Sequence, residues 1–516
     1  MKRSFTGISL AILILLSVQC SSPPTHSSSA EGVKFENSSN PTLSVEGTKP
    51  TVAPELLLKS RILALLKKGK YQELDSLLES YQREFEQDFH KEEKLAEAFD
   101  SFSADDPMLE GQLNDWIKDY PKSYSALLAR AHYFNSRGWI RRGFRGAGEI
   151  SHTQFALMEA NFQKAAQDVA EALKLKSNLI AGFCLLLNME KTAPEFDRDA
   201  RLLERALSLC PAPFLIRKIH IEKLEPRWGG SYQEMRQFAE AAQEYAPLNP
   251  KLKVLKGFVD WDKGRTLEES DERKGEAIEA YTRALFYGDY WLFYHERSRT
   301  FYHMGRYTEA LEDGNRAVAL RPQEEECYIL RSRIFFFMEK PGHALRDLQV
   351  AGQIWPYDTD NAKWGRSVAK RLVYSAYQLY QQSQFAGAIE KYDLAAEFDP
   401  DNVETYYWRG TAYMKQGMLA EAERDLEKSV QQNPRHFESY RWLDWVLARQ
   451  GKWDTILEYW NRFLDLEPNH ARAYLERGDT FYHKGDLKSA LRDAQKACEL
   501  GEAEACALGQ SLKQKV

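Results

Sequence analysis

Four arginines crowd one short stretch: Arg137, Arg141, Arg142 and Arg145, set among Trp139, Phe144 and four glycines. Guanidinium groups beside aromatic rings and permissive backbone suit the binding of phosphate, carboxylate or glycan. These residues form a candidate anion-binding loop. The competing reading is a solvated loop whose arginines pair with the acidic helices around them. A second segment, Pro226-Arg227-Trp228-Gly229-Gly230-Ser231-Tyr232-Gln233-Glu234-Met235, is built to turn. Pro226 stops one helix, the two glycines permit a tight turn, and Ser231 with Glu234 is a capping box that starts the next helix. Trp228 is expected to pack under the turn, with a ligand site there as the alternative.

Other chemistry is absent from the pattern. There is no phosphate-binding GxxxxGK[ST], no HExxH, no GxSxG and no GxGxxG between a strand and a helix. Asp358-Thr359-Asp360-Asn361 lacks the glycine and closing glutamate of a calcium loop. Asp260-Trp261-Asp262 reads as the charged face of a helix. The cysteines are Cys20, Cys184, Cys210, Cys327, Cys498 and Cys506, with no CxxC spacing, so neither a metal nor a redox site is expected. Cys498 and Cys506 are close enough in sequence to meet across one turn, either as a disulfide or as buried thiols. The sequence thus predicts no catalytic residue, no metal and no cofactor.

The elements that hold these residues announce themselves by a period. Pro322, Pro356, Pro400, Pro434 and Pro468 are separated by 34, 44, 34 and 34 residues. A fixed interval in this range marks stacked helical hairpins. With each proline at position 32, units begin at Trp291, Glu325, Ala369, Val403, Phe437 and Ala471. Position 4 is Tyr294, Tyr328, Tyr406, Tyr440 and Tyr474. Position 8 is mostly small, and position 20 is Ala310, Ala344, Ala388, Ala422 and Ala490. Small residues let two helices approach closely, and the proline ends the second helix of each hairpin. The long interval carries an insertion around residues 359–368. The fifth unit departs most: Asp444 replaces the small residue, and Ile456, Trp460 and Phe463 stand at positions 20, 24 and 27, which predicts looser or locally distorted packing. A further unit precedes the array, with Gly257 and Trp261 on its first helix and Ala277 and Ala284 on its second.

This pattern resembles the tetratricopeptide repeat (TPR) superfamily over residues 291–504. The resemblance implies that the first helix of each hairpin lines a concave face. Positions 5, 9 and 12 share one side of that helix. Arg299, Arg333, Tyr377, Tyr380, Tyr407, Arg441, Trp445 and Tyr482 fall at these positions and form the candidate partner-binding groove, about half of it expected to be exposed. The Lys/Asn clamp some TPR proteins use for a terminal carboxylate is missing, since position 5 is never Lys and position 9 never Asn. Residues 55–246 read as further helical hairpins, and the Pro226–Ser231 motif resembles that of a bacterial domain of unknown function found in front of TPR arrays, a resemblance that covers roughly 60–246.

Lys2 and Arg3 precede the apolar run Ile8–Val18, which is too short for a lasting membrane span. Cys20 follows, and the segment resembles a bacterial lipoprotein signal of the spirochaete type, with Cys20 lipidated; ordinary secretion is the other reading. Gln19 departs from the small residue usual before that cysteine. Residues 21–54, rich in Ser, Pro and Thr, cannot bury enough surface to fold and read as a tether. The expected organisation is a signal at 1–19, a tether at 20–54, a helical domain at 55–250, a TPR array at 251–504 and a helical tail at 505–516. The expected class is all-α, an α-solenoid. A net charge of −6 gives no sign of a nucleic-acid binder. The predicted function is an envelope-anchored scaffold, placed at the outer membrane in preference to the inner, that takes a protein or peptide partner in its groove. The alternative is a ligand-binding or catalytic front domain that the repeats position.

Overall fold

The computed structural model describes residues 57–515, apart from 104–105, 144–149, 193–201, 211 and 356–358. Cys20, the signal, the tether and Arg145 lie outside the described residues.

Leu63, Leu66, Leu74 and Leu78 recur at helical spacing, and all are buried. They open a run of ten helices: α1 (Leu58–Lys67), α2 (Tyr71–Gln87), α3 (Glu92–Asp100), α4 (Met108–Asp119), α5 (Tyr124–Arg142), α6 (His152–Leu175), α7 (Ile180–Met189), α8 (Leu202–Leu207), α9 (Phe214–Lys223) and α10 (Tyr232–Ala241). Seven hairpins follow. They pair α11 (Phe258–Glu268) with α12 (Lys274–Leu285), α13 (Trp291–His303) with α14 (Tyr307–Leu320), and α15 (Glu325–Phe337) with α16 (Pro341–Ile354). Next come α17 (Thr359–Gln381) with α18 (Phe385–Phe398), α19 (Val403–Lys415) with α20 (Leu419–Gln432), and α21 (Phe437–Arg449) with α22 (Trp453–Leu466). The last pair is α23 (Ala471–Lys484) with α24 (Leu487–Glu499), and α25 (Ala503–Lys513) closes the array. No strand occurs among the described residues.

The period's physical causes are visible at each repeat. Pro322, Pro400, Pro434 and Pro468 each sit two residues past a second helix. The residue before each leaves the helical region, as the proline ring demands: Arg321, Asp399, Asn433 and Glu467 have φ between −141° and −130° and positive ψ. The alanines of position 20 are all fully buried. Five of the six predicted unit starts are also the first residue of a helix. The exception is α17, where the insertion is itself helical and lengthens the helix at its N-terminus instead of forming a loop. Successive first helices touch, α11 with α13 and α13 with α15, and again α17 with α19 and α19 with α21. The ring contact of Phe336 with Trp364 links the two stretches.

Two expectations need correction. The fifth unit is distorted, as expected, but not loose: its two helices stand farther apart than those of the other hairpins, and large side chains fill the gap. Trp460 is fully buried, Ile456 and Phe463 nearly so, and the Trp460 Nε1–H donates to Asp444 at 2.7 Å. The larger residues of α22 fill the volume that alanine leaves to its partners elsewhere. Nor is Asp260-Trp261-Asp262 a charged face: Trp261 and Asp262 are buried, and Asp262 receives the Arg227 guanidinium.

The front helices and the repeats share cores. One buried cluster runs from Ala212 to Phe293, across residue 250. Another joins Leu57 to Tyr328, Ile329, Val350 and Ile354. The Ser60 hydroxyl donates to the carbonyl of Gln353 at 2.5 Å, within the last turn of α16, where carbonyls lack helical partners. Lys59 pairs with Glu325 at 3.2 Å, and Arg321 with Glu93 at 3.6 Å.

Candidate binding surface of the repeat array

The groove residues come to the surface along the row of first helices, but unequally. Among the eighteen residues at positions 5, 9 and 12, Arg333, Trp445, Asp479 and Tyr482 are exposed, nine are half-buried and His295, Val373, Thr411, Met414 and Leu475 are buried. The expected half-exposed groove is therefore more enclosed, because its rings pack on one another. Tyr377 stacks on Tyr380 with centroids 6.3 Å apart, and both meet Trp408, at 4.4 and 5.4 Å. Trp408 meets Tyr407 at 4.7 Å. The Trp442 Nε1–H donates to the Tyr407 hydroxyl at 3.2 Å, and Arg441 lies over the Trp442 ring at 5.5 Å. Three successive hairpins are thus joined by one ladder of rings. Upstream, Tyr302, Phe337, Phe336 and Trp364 form a second ladder.

Position 6 supplies the residues that the sequence reading missed. Tyr374, Trp408 and Trp442 are 34 residues apart, and a spacing of three places position 6 beside position 9. Their common interval was the available signal. Tyr374 is 62% exposed. Arg299 is committed within the fold, to Glu296 and to Glu268 at 3.2 Å. Arg333 is exposed and makes no ion pair among the described residues. At the first hairpins the surface is partly occupied by the chain itself, since Leu57 packs in the cluster that holds Ile329.

The arginine-rich segment is not a loop as far as it is described. Arg137, Arg141 and Arg142 belong to the last turns of α5. Arg137 donates to the Tyr133 hydroxyl at 3.1 Å, and Arg141 is exposed. Arg142 is buried, and burial lowers its pKa. Its guanidinium lies over Trp139 at 5.9 Å and Trp228 at 5.5 Å. Trp139 and Trp228 meet edge to face at 6.1 Å. The two segments singled out by sequence therefore touch through their tryptophans, and Arg142 is spent on joining them. In the turn, Gly229 has φ +93°, and a Cβ on Gly230 would lie 2.3 Å from the Leu224 carbonyl oxygen. The Ser231 hydroxyl accepts from the Glu234 N–H at 3.2 Å and donates to its carboxylate.

Cys498 and Cys506 form a disulfide that ties α24 to α25. Cys184, Cys210 and Cys327 are free thiols. Among the described residues no group of three or more His, Cys, Asp or Glu side chains is placed to hold a metal ion, and no helix is long and apolar enough to cross a membrane.

Family models for the tetratricopeptide repeat match residues 267–325 and 445–505, 376–417, and 403–436. A model described as a domain of unknown function, DUF4034, matches residues 59–197 and so stops short of the Pro226–Ser231 motif. Tetratricopeptide repeat protein 16 of Macaca fascicularis is 26% identical over 196 residues, which is 34% of this chain and 22% of that protein. Tetratricopeptide repeat protein 14 of Mus musculus is 29% identical over 144 residues, 28% of this chain and 18% of that protein. The chain thus spans about a fifth of the length of these curated relatives. Among solved structures, YrrB, described as a TPR protein with an unusual peptide-binding site, aligns at 17% identity over 45% of this chain and 98% of its own, with a TM-score of 0.23. The TPR2AB domain of yeast Sti1, in a complex with pHSP90, aligns at 15% identity over 50% and 96%, with a TM-score of 0.25. The C-terminal half of this chain carries tetratricopeptide repeats, and a DUF4034 domain stands at its N-terminal side.

Proposed function

We propose that this protein is an interaction scaffold that holds an extended segment of a protein partner along the ring ladder between Tyr374 and Trp442, and that lipid on Cys20 anchors it in a bacterial envelope. The observation that carries the first half is the ladder itself. Three hairpins present a continuous strip of Tyr and Trp, with Tyr374 exposed one turn from Tyr377 and Arg441 over Trp442. Aromatic and Arg side chains held rigid by their neighbours are what binding hot spots are made of, because little side-chain entropy is lost on contact. The repeat architecture favours recognition over bond chemistry, since it offers an extended surface. The second half rests on the sequence around Cys20 and the tether that follows.

A photo-crosslinking residue in place of Tyr374 should capture a partner in the native envelope, whereas the same residue at Glu423, which pairs with Lys452 at 2.6 Å on a second helix, should not. With the partner in hand, Tyr374→Ala should weaken binding by about tenfold or more while the melting temperature stays at the wild-type value. Equal capture at both positions, or unchanged affinity of Tyr374→Ala and Trp442→Ala, rejects the groove. Cys20→Ser should move the chain out of the membrane fraction; a wild-type chain that is wholly soluble without detergent rejects the anchor.

A further inference from the structure

A pocket of about 470 Å³ lies in the front region, away from the ring ladder. One wall is the segment Leu207–Cys210 at the end of α8. The others are Arg217 on α9 and Phe238, Ala241, Ala242 and Tyr245 on α10 and the turn that follows it. The volume suits a small molecule. The lining is mostly apolar, with Ser208, Cys210, Arg217 and Tyr245 as its polar side chains.

Arg217 is the unusual element. It is only 4% exposed. One of its N–H groups donates to the Pro213 carbonyl at 3.0 Å, and its plane lies 4.6 Å from the Tyr245 ring. No carboxylate of the described residues is within ion-pairing distance of it, and burial lowers its pKa, against weaker support from Tyr245, Cys210 and Glu92. Glu92 is engaged elsewhere: its two oxygens accept the Phe214 and Leu215 N–H groups at 2.7 and 3.2 Å, at the start of α9. Contrast Arg130, Arg331, Arg409 and Arg477, each of which grips an aspartate with two N–H groups. A buried guanidinium without a counter-ion is costly, and it persists where a function uses the unspent charge.

We infer that this pocket binds a small free carboxylic acid with an apolar body, its carboxylate on the Arg217 guanidinium and its body against Phe238, Leu207 and Leu209. One cation matches a monoanion, and the apolar walls exclude a strongly hydrated dianion such as inorganic phosphate. The Pro213 carbonyl takes one of the guanidinium N–H groups, which leaves enough for the forked pairing that guanidinium and carboxylate prefer.

Titration calorimetry on the full-length chain, with hexanoate and its neutral isostere hexanamide as probes, tests this. Hexanoate should bind saturably, and hexanamide about tenfold more weakly, the difference a charge-assisted hydrogen-bond pair makes. Arg217→Gln should abolish that difference. Should Arg217→Gln fail to fold, Ala241→Trp serves, because Ala241 is exposed at the pocket rim; it should block both probes with an unchanged melting curve. Absence of saturable hexanoate binding, equal affinity of the wild-type chain for the two probes, or a preference for hexanoate that survives Arg217→Gln overturns the assignment.

Discussion

Asp444 stands where the repeat wants a small residue, and its chemistry is set by that misfit. Burial pushes its carboxyl up to about 7, although the Trp460 N–H favours the ionised form. An unfolded aspartate titrates near 3.8. Between about pH 4 and pH 7 the folded chain therefore binds a proton that the unfolded chain has released, and stability falls as pH rises through that window. Asn at this position keeps an acceptor for Trp460 and never ionises. Asp444→Asn should melt higher than wild type above about pH 7 and match it near pH 4, as thermal scans across pH would read. A wild-type advantage at neutral pH would refute this. Position 15 makes a second case. Gly305, Gly417, Gly451 and Gly485 turn the hairpins with φ between +73° and +86°, while Glu339 and Ser383 take +59° and +60° at the same position. A side chain in that region costs ~1 kcal/mol. Ser383→Gly should stabilise the chain by about that amount in denaturant titrations, and Gly417→Ala should destabilise it similarly.

At the scale of the element, one strut recurs. Arg297, Arg331, Arg409 and Arg477 on first helices each hold an aspartate 16 residues later on the second, Asp313, Asp347, Asp425 and Asp493, through two hydrogen bonds of 2.7–2.9 Å. All four also reach back to the preceding hairpin, at Thr282, Asn315, Asp393 and Asn461. Arg130 does the same in the front region: it grips Asp168 and reaches Asn114. There the partner is 38 residues away, because α5 and α6 are long and their connection carries the glycine-rich stretch. The pair α5–α6 is thus built on the strut of a repeat hairpin, which no proline period reveals. In the hairpin α17–α18 the strut is replaced by Lys391 on α18 donating to Ser375 on α17, the same 16 residues apart. Asp425→Ala would leave the Arg409 guanidinium buried beside only Asp393. The expected loss is ~3 kcal/mol, read as a lower denaturation midpoint. A change under ~1 kcal/mol would show that the strut is dispensable.

For the whole molecule, the front region is a brace and not an appendage. The cluster from Ala212 to Phe293 crosses residue 250, α1 caps α16, and Leu57 just before α1 packs half-buried against the second repeat. A chain cut at 250 would expose Leu252, Leu255, Phe258 and Phe293, each fully buried here. Residues 251–516 alone should therefore show a lower melting temperature than the full chain and bind a hydrophobic dye, and residues 55–250 should do the same. A fragment 251–516 as stable as the parent would deny the brace. Partner mapping is better done by substitutions in the intact chain than by such halves.

The sequence alone determined the repeat, its register and its helical class, because these rest on local rules. Proline forces its predecessor out of the helix, and alanine at position 20 is demanded wherever two helices close to contact distance. Five of six unit starts could be read to the residue for that reason. The arginine strut was also written in the sequence, at a constant spacing of 16, but its meaning needed the hairpin to show that the two positions face each other. Tertiary structure alone decided the rest. Nothing local says that Trp139 meets Trp228, that Arg142 is consumed by that contact while Arg217 has no counter-ion among the described residues, or that α1 returns to cap α16. These depend on segments tens to hundreds of residues apart. Their encounter is fixed by how the helices stack, and no pattern in either segment encodes it.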